Sequence, residues 1–247
     1  MPDTTYVPQL GIGEDMVQRN RRQRRAEKAV SRSEPVVRTL AVHEAGHCVA
    51  RVLTARAVGW DAAEAIEYIE VGSMPVAMGA DRGLRSQVVS WGRFLSKPMQ
   101  DFVAARRPTA NPSAGYAPVL DDPDIIPMFA EMRASGIDLD GWFRVRSIVA
   151  MFGPMAEAKL IEKPFNEVWN SNACRDDALG LMRAGVLCGM TPEQIAASAN
   201  ENVSIAEQNM ARPEVWRAIT TLADNMKPGR MSGRQAAAII VRALAVS

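Results

Sequence analysis

The chain is 247 residues long, 47% hydrophobic and 23% charged, with a formal net charge of +1. Those figures allow one sizeable core and exclude wholesale disorder, and the near-zero charge argues against a dedicated polyanion binder. Three cysteines are too few for a disulfide scaffold and fit a reducing cytoplasm. No run of 18 apolar residues offers a membrane span, and residues 1–18 lack the apolar segment of a secretory signal.

Residues 1–34 read as a flexible basic arm. Residues 1–38 carry eight Lys/Arg against five Asp/Glu, while the remainder carries 21 against 23, so the positive charge is local. Such a run is usually a solvated face, and nucleic-acid binding is not expected. A helix is predicted from about Ser33-Glu34-Pro35 to Ala57, with Leu40, Ala41, Ala45, Cys48, Val49, Val52 and Leu53 at helical spacing and Gly59 as its stop. Asp61 to Ala65 reads as a short helical turn. Ile66 to Val71 alternates apolar and polar residues as a half-buried strand does; at a sheet edge it would accept a peptide by strand addition. Gly72-Ser73 turns the chain into a second short strand, Met74 to Met78.

Further on, Val88 to Ala105 is expected to be helical, and Arg107 to Pro127, with its prolines and Asp121-Asp-Pro-Asp124, irregular. Apolar residues run densely from Leu139 to Phe152. Gly153-Pro154 predicts a break before Met155 to Ile161 resumes. Helices follow over Ala178 to Leu187, from a capping-box start at Thr191, and over Arg212 to Met226 and Ser232 to Leu244. The whole reads as α+β, mostly α-helical: one helix that carries the chemistry, a small β-sheet and a C-terminal helical bundle.

Both histidines of the chain lie in His43-Glu44-Ala45-Gly46-His47, an H-E-x-x-H on the first helix. Positions four apart project from one helical face, so two neutral imidazoles can grip one zinc ion. Glu44 can take a proton from a water that zinc has acidified, the division of labour that hydrolysis requires. Chance would produce this pattern in a chain of this length in roughly 1% of cases. A catalytic zinc needs a third protein ligand and an open position. With no histidine left, the third must be a carboxylate or cysteine: Glu64, Glu67 and Glu70 lie nearby, Asp176, Asp177 and Cys174 far downstream. Asp176 and Asp177 open a predicted helix, where a carboxylate is held firmly, although N-capping alone also explains them. Cys48 reads as a small buried residue. Gly46, mid-helix, costs about 1 kcal/mol against alanine and suggests a close backbone approach.

The segment Thr39-Leu-Ala-Val-His-Glu-Ala-Gly-His-Cys-Val-Ala50 resembles the zinc helix of the FtsH-type metallopeptidase family. Ile148 to Leu160, with Gly153, Ala156 and Glu157, resembles that family's apolar-Gly-x-Ala-Ala-Glu helix. Asp176-Asp177 resembles its aspartate at a helix start, and 218–226 with 231–235 its C-terminal helix pair. The resemblance implies His43, His47 and Asp177 (alternative Asp176) as zinc ligands, Glu44 as general base and Glu157 as a second-sphere support. It implies a peptidase domain over 35–247 with an insertion at 80–137. It does not extend to an ATPase, since no G-x-x-x-x-G-K-[ST] loop is present. The expectation is an ATP-independent zinc metalloendopeptidase of the cytoplasm, acting on peptides or unfolded protein, compatible with a homo-oligomer. The alternative is a non-catalytic zinc-binding regulatory or interaction module.

Overall fold

The computed structural model describes residues 38–75, 84–92, 96–106 and 124–246, and the side chains of 72–92 are not part of that description. The basic arm over 1–34, residues 76–78 of the expected second strand and residues 107–123 of the expected loop lie outside it. The chain divides into two units, one of Met1–Glu34 with Ser73–Arg85, the other of Pro35–Gly72 with Ser86–Ser247. The second unit carries everything that follows, apart from the far ends of two strands.

Its first helix, α1, spans Arg38–Ala57. Gly59, at φ +72°, lets the chain leave the helix, and Trp60 N–H donates back to Ala55 O at 2.8 Å. A 3-10 turn at Ala62–Glu64 follows, capped by Asp61, whose side chain accepts from Ala63 N–H. Strand β1 is Ile66–Pro75, β2 is Leu84–Gly92, and helices α2 and α3 are Lys97–Arg106 and Ile125–Ala134. Then come α4 (Leu139–Leu160), α5 (Phe165–Trp169), α6 (Arg175–Leu187), α7 (Pro192–Ala211), α8 (Pro213–Asn225), β3 (Gly229–Ser232) and α9 (Gly233–Ala245). The sheet order is β2-β1-β3, with β1 and β3 antiparallel from Tyr68↔Ser232 to Val71↔Gly229. The protein is therefore α+β and mostly helical. Among the described residues no helix is long and apolar enough to cross a membrane.

Several expectations need correction. Gly72-Ser73 does not turn the chain into a second strand at Met74, since β1 runs on through these residues to Pro75. Ile66 to Val71 lies in the central strand, so it offers no free edge for a peptide. Residues 88–92, expected to begin a helix, form the end of β2, and the helix starts only at Lys97; Ile125 to Pro127, expected in a loop, open α3. Gly153-Pro154 does not break the run: α4 continues through both residues. Proline removes one helical hydrogen bond and crowds the preceding turn, but here the packing of α4 along α1 outweighs that loss.

Apolar burial explains the arrangement. Ala41, Val42, Ala45, Cys48, Val49, Ala50 and Val52 of α1 are each 2% exposed or less. A helix with so wide an apolar stripe belongs against the core, and α1 is packed chiefly by α4, α8 and α9. Phe143 and Phe152 of α4 and Ile219 and Leu222 of α8 fill the same core, each contributing about 1.5–3 kcal/mol by burial. Where α1 and α4 cross, a Cβ on Gly46 would lie 2.6 Å from Phe152 O and 3.0 Å from Gly153 Cα. The mid-helix glycine is thus a consequence of helix proximity.

Candidate metal centre

Four helical turns converge on one point. α1 presents His43 and His47 from one face, and both are only 6% exposed. α6 begins at Arg175, so Asp177 sits in its first turn, where the helix dipole favours a carboxylate. α4 supplies Glu157 and the Val149 carbonyl.

The Nε2 atoms of His43 and His47 are 3.1 Å apart. Asp177 Oδ2 lies 3.2 Å from His43 Nε2, and its Oδ1 lies 3.1 Å from His47 Nε2. The opposite ring nitrogens fix the tautomers. His47 Nδ1 is 2.7 Å from Val149 O, a carbonyl that can only accept, so Nδ1 carries the hydrogen and a neutral ring has a bare Nε2. His43 Nδ1 is 2.9 Å from Glu157 Oε2, and an ionised carboxylate imposes the same tautomer. Two lone pairs and a carboxylate then face one another with no hydrogen between them. Such a set repels itself unless a cation, or an added proton, sits among it.

The donor set fits zinc in kind and in span. Bonds of about 2.0–2.1 Å at tetrahedral angles place neighbouring ligand atoms roughly 3.3 Å apart, close to the separations found. In the absence of a metal a proton takes that role: burial lowers the pKa of His43, but hydrogen bonds to Asp177 and Glu157 overcome it and push the value up to about 10. Burial raises that of Asp177, yet the two imidazoles hold it well below the usual carboxylate range.

Of the two aspartates it is Asp177 that meets both imidazoles; Asp176 is exposed and lines the adjoining cavity. Glu157, for which the resemblance implied a second-sphere role, is the residue that meets His43 Nδ1. Glu44 is half-buried and shares that adjoining cavity, of about 190 Å³, with His47 and Asp177. Cys174 is fully buried, and its Sγ lies within 4.8 Å of ligand atoms of His43 and Asp177. Burial pushes its thiol up to about 12. Glu64, Glu67 and Glu70, the other carboxylates considered, are not among the grouped ligand atoms of the described residues.

Sequence reasoning missed four participants. Val149 acts through its carbonyl, which carries no side-chain signal. Gly153 lies against the ligands, since a Cβ there would be 2.4 Å from His47 Nε2 and 2.9 Å from His43 Nε2. Arg51 and Arg146 line the cavity beside Glu44. Arg51 had a legible signal, lying four residues beyond His47 on the same helical face; Arg146 had none. No known protein family, curated protein or solved structure matches this chain.

Proposed function

We propose that this protein is a zinc metallopeptidase that hydrolyses peptide bonds in peptides or unfolded segments without ATP. The observation that carries this reading is the convergence of the two bare Nε2 atoms and Asp177 at 3.1–3.2 Å, beside a cavity lined by a carboxylate that is not one of them. Zinc held there would polarise the scissile carbonyl and lower the pKa of its water to about 7. His43, His47 and Asp177 would hold the ion. Glu157 and the Val149 carbonyl keep the two rings in the ligating tautomer and orientation. Glu44 accepts a proton from the attacking water and returns it to the leaving amine. Purified protein should contain one zinc per chain by elemental analysis and should degrade unstructured casein, with a chelator stopping the reaction. Glu44→Gln should keep the zinc and lose turnover; a fully active variant overturns the role given to Glu44.

The position of Cys174 favours a second reading, a non-catalytic zinc-binding module. A thiolate ligand there would close the site with four protein donors. Cys174→Ala separates the two: zinc content is unchanged in a peptidase and falls if the thiolate is a ligand.

A further inference from the structure

One polar side chain in the core lacks a hydrogen-bonding partner. The buried residues of α7 are Ile195, Asn202, Ala206 and Met210, spaced seven, four and four apart and so on one helical face. Asn202 stands where that stripe calls for an apolar residue. It is 4% exposed, and its side-chain amide makes no hydrogen bond among the described residues. A buried amide with its donors and acceptor unmet is costly, and in a native fold it points to something that meets it.

Asn202 lines a groove of about 710 Å³ between α3, α4, α6 and α7. Ligand sites span roughly 300–1,000 Å³ and combine an apolar lining with a few placed polar groups. Phe129, Leu139, Phe143, Leu187 and Cys188 line this groove and are each 5% exposed or less, while Ile126 and Val186 line it as exposed residues. Arg133 and Asp140 are occupied with each other. An occupant therefore needs an apolar body and, against Asn202, a group that donates and accepts at once. A peptide unit is such a group, since its N–H can donate to Oδ1 and its C=O can accept from Nδ2.

The groove also adjoins the candidate metal centre. Phe143 lines the groove and Arg146 the cavity beside the histidines, and residues three apart are neighbours on the surface of α4. Leu187 and Gly180 divide the same two roles on α6, two turns apart. From Phe143 to Ala150, which also lines the cavity, the axis of α4 advances about 10 Å. An extended chain covers that distance in about three residues.

We infer that the groove binds an apolar segment of the polypeptide substrate about three to five residues from the bond to be cut, with Asn202 hydrogen-bonded to its backbone. This rests on the peptidase reading, and it narrows the substrates to unfolded chains that carry bulky apolar side chains at that distance.

The test uses the full chain loaded with zinc and a set of neutral twelve-residue peptides, blocked at both ends. A Leu-Phe pair is moved along a Ser/Gly host, and the host alone is the control. Anisotropy of fluorescent peptides on the Glu44→Gln protein should show the pair-bearing members binding at least about 10-fold tighter than the control, which burial of two apolar side chains suffices to give. Mass spectrometry of the wild-type products should place the cut about three to five residues from the pair, moving with it. Ala197→Arg and Asn202→Leu, each added to the Glu44→Gln protein, should weaken pair-dependent binding. The first puts a good helix former at an exposed position that lines the groove. The second removes the amide at similar size, with a denaturation midpoint no lower than before.

Binding that ignores the pair, or that neither variant weakens, overturns the groove assignment while leaving the peptidase intact. Cuts at the pair itself and nowhere else place the apolar residues at the metal centre and overturn it too. Pair-dependent binding lost in the variants, with no peptide cleaved, keeps the groove and refutes the peptidase. A dimer in sedimentation that Ala197→Arg dissociates would seat a second copy of the chain in the groove and overturn the assignment to substrate. The register of the cut needs no substitution, so the outcome does not depend on whether the variants fold.

Discussion

Two recesses among the described residues differ in how their polar groups are satisfied. A groove of about 710 Å³ runs between α3, the start of α4, the end of α6 and the start of α7. It is more than three times the volume of the cavity beside the histidines. Several of its polar groups satisfy one another. Arg133 donates to Asp140 at 2.8 Å and to Cys188 O at 3.1 Å, and the Cys188 thiol donates to Leu139 O at 3.4 Å. At the candidate metal centre the two imidazoles, each held by a partner on its far side, aim their Nε2 atoms at Asp177 and at each other. Volume marks where something fits, whereas convergent unsatisfied charge marks where something is required.

The comparison can be broken most sharply at Gly153. Alanine is the better helix former by about 1 kcal/mol, so Gly153→Ala should leave α4 intact. Its methyl group would intrude on both Nε2 atoms, and zinc stoichiometry by elemental analysis should fall to near zero. A variant that still binds one zinc would show that the ligands do not meet as described.

The metal-free protein supplies a second probe. His43 is raised to about 10 from an ordinary 6.5, so its proton stabilises the fold fully below pH 6.5, and that contribution is lost as pH climbs through 10. Denaturant midpoints measured with chelator should decline across that window, and excess zinc should abolish the decline by replacing the proton. A flat profile in chelator would contradict the cluster.

A smaller effect is expected at Glu157. Glu157→Gln keeps the shape but removes the charge that orients His43, and zinc affinity in a competition titration should drop about 10- to 100-fold. The smallest effect belongs to the groove. Arg133 and Asp140 are 47% and 73% exposed at their side chains, and such pairs contribute at most about 1 kcal/mol. Arg133→Ala should shift the denaturation midpoint only slightly and leave zinc content unchanged. Zinc loss in this variant would mean that the two regions are coupled.

Local sequence determined what one helical turn can determine. The pair His43 and His47 needs only a period of 3.6 residues to share a face, and α1 forms over nearly the expected span. The capping box of Thr191 and Gln194 is likewise complete within four residues, and α7 starts there. The small sheet was legible at Ile66 to Val71, but the strand over Leu84–Gly92 was not. Its alternation is weak, and pairing with a neighbouring strand decides such a segment. Continuity through Pro154 also escaped the local rule, because packing of α4 against the core is not a property of residues 153 and 154.

Only the tertiary structure brought Asp177 up to both imidazoles, by carrying α6 to α1 across a chain separation of 130 residues from His47. The same assembly recruited a backbone carbonyl at Val149 and set Arg146 beside Arg51. Spacing along a helix fixes the direction of side chains within one turn. Which partner they meet depends on how separate helices bury their apolar faces, and that is a sum over the whole core.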